Sequence, residues 1–181
     1  MRGLARAGVT PNAVTLSALA GSVMVGAAVS RAAAYPRLLL LMPIWLFTRM
    51  ALNAIDGMMA RELKMGTRLG AVLNELGDVL SDVALFVPLA LIHDPARWPI
   101  LAFSMGAIVT EFCGVLGSAL GAGRRYEGPM GKSDRAFIAG ALALVTVFVP
   151  RAIAWWAWIF GIAAGLTLIT CWNRVRVTLR A

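Results

Sequence analysis

The sequence predicts an all-α, polytopic membrane protein of six transmembrane helices with a short N-terminal interfacial segment. Only 14% of the 181 residues are charged, while 60% are hydrophobic. A soluble domain carries roughly 25% charged residues, so this chain lacks the polar material to cover a globular surface. Its apolar richness excludes intrinsic disorder. The apolar residues also fall in runs that match the about 20 residues a helix needs to cross a bilayer. The length is that of one domain, taken as residues 1–181.

Each element has its own signal. Residues 1–9 set Arg2 and Arg6 among Leu4, Ala5 and Ala7, the pattern of a segment lying at the membrane surface. Thr10-Pro11 opens the first helix, with the threonine as N-cap and the proline where its missing N–H costs nothing. Helices are expected at 11–31, 37–60, 67–92, 98–121, 134–150 and 152–173. Pro36, Pro95, Pro99, Pro129 and Pro150 fall in or beside the loops, as helix breakers do. The first apolar run is of spanning length and shows no convincing cleavage site, so no removable signal peptide is expected.

The basic residues set the orientation. Arg2, Arg6, Arg61, Lys64, Arg68, Arg124, Arg125, Lys132, Arg135, Arg174, Arg176 and Arg180 fall on one side. Arg31, Arg37, Arg97 and Arg151 fall on the other, and Arg49 lies inside a helix. The positive-inside rule then puts both termini in the cytoplasm. The net charge of +8 is mostly this topology, plus attraction to anionic headgroups, and needs no nucleic-acid partner. Cys113 and Cys171 lie in apolar segments without metal-ligand spacing, and the one histidine, His93, sits in a loop beside Asp94. Histidine catalysis and a histidine-rich metal site are not expected.

The informative residues are polar ones inside the helices, where an ionisable side chain costs a few kcal/mol and marks function or a paired partner. Helix 2 carries Arg49, Asn53 and Asp56; helix 3 carries Asn74, Glu75, Asp78 and Asp82; helix 4 carries Glu111. At 100° per residue, the helix 2 group shares one face, and so does the helix 3 group. A short loop joins these helices, so the two faces are expected to meet near the cytoplasmic end. Carboxylates and amides aimed into a common space make an oxygen site for a hard divalent cation such as Mg²⁺, and nearby Lys and Arg can hold phosphates. The competing reading is that these groups only bond one another and fix helix packing. Matched depth further predicts an Arg49–Asp82 ion pair on the membrane side of the site.

The spacing within helices 2 and 3 is specific. It reads Asn53-x-x-Asp56-Gly57-x-x-Ala60-Arg61, then eight residues, then Gly70-x-x-x-Asn74-x-x-x-Asp78. This closely resembles the signature of the CDP-alcohol phosphatidyltransferases, D-x-x-D-G-x-x-A-R-x8-G-x-x-x-D-x-x-x-D, departing only at the first and third acidic positions. Thr10-Pro11-Asn12 with Thr15 is similar to the T-P-N-x-x-T opening of that family's first helix. Gly131-Lys132-x-x-Arg135 resembles its basic element before helix 5, and Glu111-Phe112 resembles an R-E-F element in which Thr110 replaces the arginine.

The resemblance implies an enzyme that moves a phosphatidyl group from a CDP-linked lipid, usually CDP-diacylglycerol, to an alcohol acceptor and releases CMP. It implies Mg²⁺ or Mn²⁺ as cofactor, Asn53, Asp56, Asn74 and Asp78 as the metal set, and Asp78 as the base. Asn12, Gly57, Ala60, Arg61, Gly70, Lys132 and Arg135 are implied as substrate-binding residues. It also implies a homodimer among membrane lipids, in a bacterial-type inner membrane with the active site on the cytoplasmic side. Small residues at Gly114, Gly117, Ser118 and Gly121, and at Gly161 and Gly165, allow close helix approach within or between subunits.

Asn53 and Asn74 each remove one negative charge from the motif. A weaker metal site, a single ion, recruitment of Glu75, Asp82 or Glu111 as auxiliary groups, and an inactive relative that binds lipid or nucleotide are all open. So is a small transporter whose intramembrane acids relay protons or cations. The acceptor alcohol is not legible: Thr110 removes a cation expected for a phosphorylated acceptor, while Arg124, Arg125, Lys132 and Arg135 cluster around the loop before helix 5.

Overall fold

Where the sequence places a cap and a proline, a helix starts. The structure, a computed structural model, describes Gly3 and residues 7–181, so the expected surface segment at 1–9 lies mostly outside the described residues. The Thr10 hydroxyl accepts the Ala13 N–H at 3.2 Å and opens α1, Pro11–Val29. The others are α2 (Leu41–Glu62), α3 (Arg68–Phe86), α4 (Arg97–Ala119), α5 (Lys132–Phe148) and α6 (Trp156–Thr178). No strand occurs among the described residues.

Four helical stretches are long and apolar enough to cross a membrane: Pro11–Val29, Pro36–Glu62, Asp94–Ala119 and Pro150–Thr178. The other two helices are the exceptions for visible reasons. The α3 helix carries Arg68, Glu75, Asp78 and Asp82 within its span, and α5 has 17 residues. Four ends differ from expectation. The second and last helices open with 3-10 turns, Pro36–Leu40 and Pro150–Trp155, so α geometry begins only at Leu41 and Trp156. The expected third helix leaves α geometry after Phe86 and continues as a 3-10 turn, Val87–Leu91, around Pro88, because proline removes an N–H from the ladder. The last helix continues beyond 173 to Thr178, since Arg174 is buried and paired rather than solvated.

The packing corrects one expectation. The α2 and α3 helices run antiparallel through a turn at Lys64, whose φ is 54°, and Gly66 N–H donates to Ala60 C=O at 3.2 Å. Their backbones nevertheless scarcely touch. It is α1 that packs on both, while α2 lies on α5, α3 on α4, and α4 most extensively on α6. The polar faces of α2 and α3 therefore confront each other across a gap that side chains, not backbone packing, bridge.

Away from that gap the core is apolar. Phe86, Phe103, Phe160 and Trp156 form a chain of tilted and edge-on rings with centroids 5.2, 5.3 and 5.8 Å apart, a favoured aromatic geometry. The buried Trp156 indole donates to Thr146 Oγ1 at 2.9 Å. The outer surface is also apolar, with Met24, Phe47, Trp98, Phe112, Phe137, Phe148, Trp158 and Trp172 exposed.

The small-residue seam of α4 acts within the chain. Ala122 N–H donates to Gly117 C=O at 2.8 Å and Arg125 N–H to Gly114 C=O at 3.2 Å, so the loop after α4 folds back along it. A Cβ at Gly114 would lie 2.8 Å from Arg124 Nη1 and 2.9 Å from Arg125 C=O. Gly161 and Gly165 have nothing within 4 Å of that position and face outward.

Candidate active site

At the end of the bundle where the α2–α3 and α4–α5 loops lie, a cavity of about 920 Å³ opens. Its α2 wall presents Asn53, Asp56, Gly57, Ala60 and Arg61, and its α3 wall presents Gly70, Asn74, Glu75 and Asp78. Asn12 and Thr15 enter from α1, Glu111 from α4 and Lys132 from the first position of α5. Nearly all of the residues singled out from the sequence thus share one space, although they come from five helices.

Hydrogen bonds order the two carboxylates. The Thr15 hydroxyl donates to Asp56 Oδ2 at 2.7 Å, and Asp56 is buried. Asn53 Nδ2 donates to Asp78 Oδ1 at 2.9 Å across the α2–α3 gap. The Lys132 ammonium pairs with the same Asp78 oxygen. The glycines differ in purpose. A Cβ at Gly70 would lie 2.7 Å from Asn12 Oδ1, so this glycine lets α1 seat its asparagine against α3. At Gly57 the Arg61 Nη2, at 3.6 Å, is all that approaches the missing Cβ. Helix packing therefore does not require Gly57; it leaves open backbone on the cavity wall.

Along the cavity's inner wall and beneath it lies a second set of charges. Arg49 pairs with Asp82 at 2.5 Å, as matched depth predicts. Arg135, 0% exposed, reaches Asp82 at 3.1 Å and Glu111 at 2.7 Å, and donates to Thr110 Oγ1 at 2.9 Å. Arg124 joins Glu75 at 2.9 Å to Glu111 at 2.7 Å, and Arg174 donates to the Thr110 carbonyl. Arg135 and Asp82 do not line the cavity, which differs from the substrate-binding and auxiliary roles expected for them. Arg135 lies three residues beyond Lys132 on the same helix face, hence about 4.5 Å deeper. Glu75 and Glu111 do line the cavity, with their carboxylates on Arg124.

Three participants were not singled out for these contacts. Thr15 belonged to a motif without a stated partner, and its i+4 relation to Pro11 was the available signal. Arg174 falls just past the expected helix end at 173 and so reads as a surface charge, whereas the helix runs on to Thr178. Thr110 was read only as a lost arginine, yet its hydroxyl and carbonyl receive two other arginines. These pairings are long-range, and no local pattern announces them.

Among the described residues, no three or more His, Cys, Asp and Glu side chains gather into a metal cluster. The oxygen donors on the facing walls are the carboxylates Asp56, Asp78 and Glu75, the last paired with Arg124, and the amides Asn53 and Asn74. A hard cation held by one or two carboxylates, with substrate phosphates completing its shell, suits such a set.

Known proteins resemble this chain in sequence and fold. Inner membrane protein YnbA of Escherichia coli is 46% identical over 171 residues, covering 94% of this chain and 85% of that protein. Phosphatidylinositol phosphate synthase of Mycobacterium marinum is 41% identical over 87 residues, 47% of this chain and 35% of that one. The crystal structure of the Mycobacterium tuberculosis phosphatidylinositol phosphate synthase in complex with manganese and citrate superposes with a TM-score of 0.82 at 27% identity, covering 98% of this chain and 86% of that one. The same enzyme with CDP-DAG bound gives a TM-score of 0.82 at 26% identity, over 98% and 90% of the two chains. A family model described as CDP-alcohol phosphatidyltransferase matches residues 8–166. With that match over most of its length, the chain belongs to the CDP-alcohol phosphatidyltransferase family.

Proposed function

We propose that this protein is an integral-membrane transferase that moves a phosphatidyl group from CDP-diacylglycerol, or a related CDP-linked lipid, to an alcohol and releases CMP. The observation that carries this reading is the cavity in which Asp56, Gly57 and Arg61 of α2 face Gly70 and Asp78 of α3, with Lys132 on Asp78. All six α-helices cross the membrane in this reading, with the charged residues Arg68, Glu75 and Asp78 of α3 turned to the cavity and its apolar Val72, Leu76 and Leu80 exposed on the outside. The chain is one domain, with its cavity and both termini on the cytoplasmic side of an inner membrane. It works as a homodimer.

The roles follow from chemistry. Arg61 and Lys132 hold the donor's phosphates as charge-assisted partners, and open backbone at Gly57 lets the nucleotide approach. Asn12, seated against Gly70, ties α1 to the same wall. Asp78 takes the proton of the acceptor hydroxyl, through the oxygen that Asn53 and Lys132 leave free. Asn53, Asp56, Asn74 and Asp78 would hold Mg²⁺ or Mn²⁺, which when bound supplies neutralisation of the pyrophosphate and of the departing CMP. Glu75, Glu111 and Arg135 position the cations around the site.

The test is CMP release by the purified protein from CDP-diacylglycerol with Mg²⁺ or Mn²⁺ across a panel of alcohols, phosphorylated and not. One alcohol is expected to give CMP and a new lipid, with Asp56→Ala lowering the rate at least about 100-fold. No CMP with any alcohol would point instead to an inactive relative.

A further inference from the structure

We infer that this site takes one divalent cation rather than a pair, with the Lys132 ammonium on Asp78 standing where a second positive centre would be. The inference rests on the transferase reading and on an inventory of the acids in the cavity. Five line it: Asp56, Glu75, Asp78, Glu111 and Asp134. Three are committed elsewhere. Arg124 holds Glu75 at 2.9 Å and Glu111 at 2.7 Å, and Asp134 Oδ2 accepts the Gly131 N–H at 2.9 Å at the start of α5. Asp56 and Asp78 remain, and Asp78 already carries Lys132.

A pair of divalent ions sits about 3.5–4 Å apart and repels itself four times as strongly as two unit charges at that distance. Carboxylates must offset this, and two acids with an ammonium already among them leave less than one ion's worth of negative charge. One divalent ion, completed by phosphate oxygens, is the occupancy this charge supports. The identity of residue 53 agrees. Its amide donates to Asp78 Oδ1 at 2.9 Å; an aspartate there has no N–H to give and would set a second carboxylate against the first. Asparagine at 53 thus fits an Asp78 whose cationic partner is a lysine.

Mn²⁺ alone, titrated into the full-length protein in lipid nanodiscs, reads this directly by metal analysis after dialysis and by electron paramagnetic resonance. The expected result is one Mn²⁺ per chain with the hyperfine pattern of an isolated ion. Asn53→Asp combined with Asn74→Asp is expected to raise the stoichiometry to two, with exchange broadening. Lys132→Gln is expected to tighten the single ion about tenfold by removing a competing charge. Two coupled ions in the unaltered protein would overturn the inference and leave the transferase reading standing. No bound Mn²⁺ would also overturn the inference, and CMP release from CDP-diacylglycerol then decides the transferase reading by itself. Should the double variant fail to fold, the unaltered stoichiometry and the Lys132→Gln affinity still decide, and weaker binding in Lys132→Gln counts against the inference.

Discussion

Asp78→Asn is expected to cut CMP release by about 100- to 10,000-fold, the range for a positioned general base, with little change in the KM for the CDP-lipid. The substitution is nearly isosteric, and its amide oxygen can still accept the Asn53 N–H that now binds Asp78 Oδ1 at 2.9 Å. It loses the capacity to take a proton. At saturating metal, with Asp56 still able to hold the cation, the loss should therefore fall on kcat rather than on donor binding, which Arg61 and Lys132 support. Steady-state kinetics with saturating acceptor separates the two. A variant that keeps its kcat would remove Asp78 from the role of base, and a loss confined to KM would make it a binding group.

Arg135→Met is expected to destabilise the fold by about 3–5 kcal/mol, the usual cost of removing one partner from a buried ion pair. Arg135 is wholly buried, and one guanidinium serves Asp82 at 3.1 Å, Glu111 at 2.7 Å and Thr110 at 2.9 Å. Methionine fills much of the volume, so the effect reports charge rather than a cavity. Arg135→Lys should recover only part of the loss, because an ammonium cannot fork between two acids as a guanidinium does. Unfolding midpoints in a mild detergent measure both. Lys132→Ala is the control: its partly exposed pair with Asp78 is screened by solvent and contributes little to stability. Equal midpoints for Arg135→Met and the unaltered protein would show that the buried network carries no stability.

Helices and polar faces were legible in the sequence because each rests on local chemistry. Thr10-Pro11 caps α1 as its residue types demand, and the fixed gaps from Asn53 to Asp78 place those side chains in one cavity. The Arg49–Asp82 pair could be foreseen from depth alone, since two antiparallel helices from one short loop share a ruler of 1.5 Å per residue. What local pattern cannot give is which helix fills the space between two others. That is why α1, packed on both helices, and side-chain bonds rather than α2–α3 backbone contact unite the motif. The same limit hid Arg174, whose place depends on Thr110 and Glu111 far away in the chain, and it put Arg135 in the cavity when it lies one turn below.

The buried charges under the cavity have a consequence for the membrane as an electrical barrier. Arg49, Asp82 and Arg135 are each at most 4% exposed. One turn farther from the cavity, each is followed by apolar side chains that are themselves buried: Leu46 after Arg49, Phe86 after Asp82, and Ala139 after Arg135. A polar floor backed by a dry apolar plug ends any file of water there. In the proposed orientation the protein thus opens a wide aqueous mouth on one face without short-circuiting the bilayer, and liposomes that contain it should hold a proton gradient as long as empty ones do.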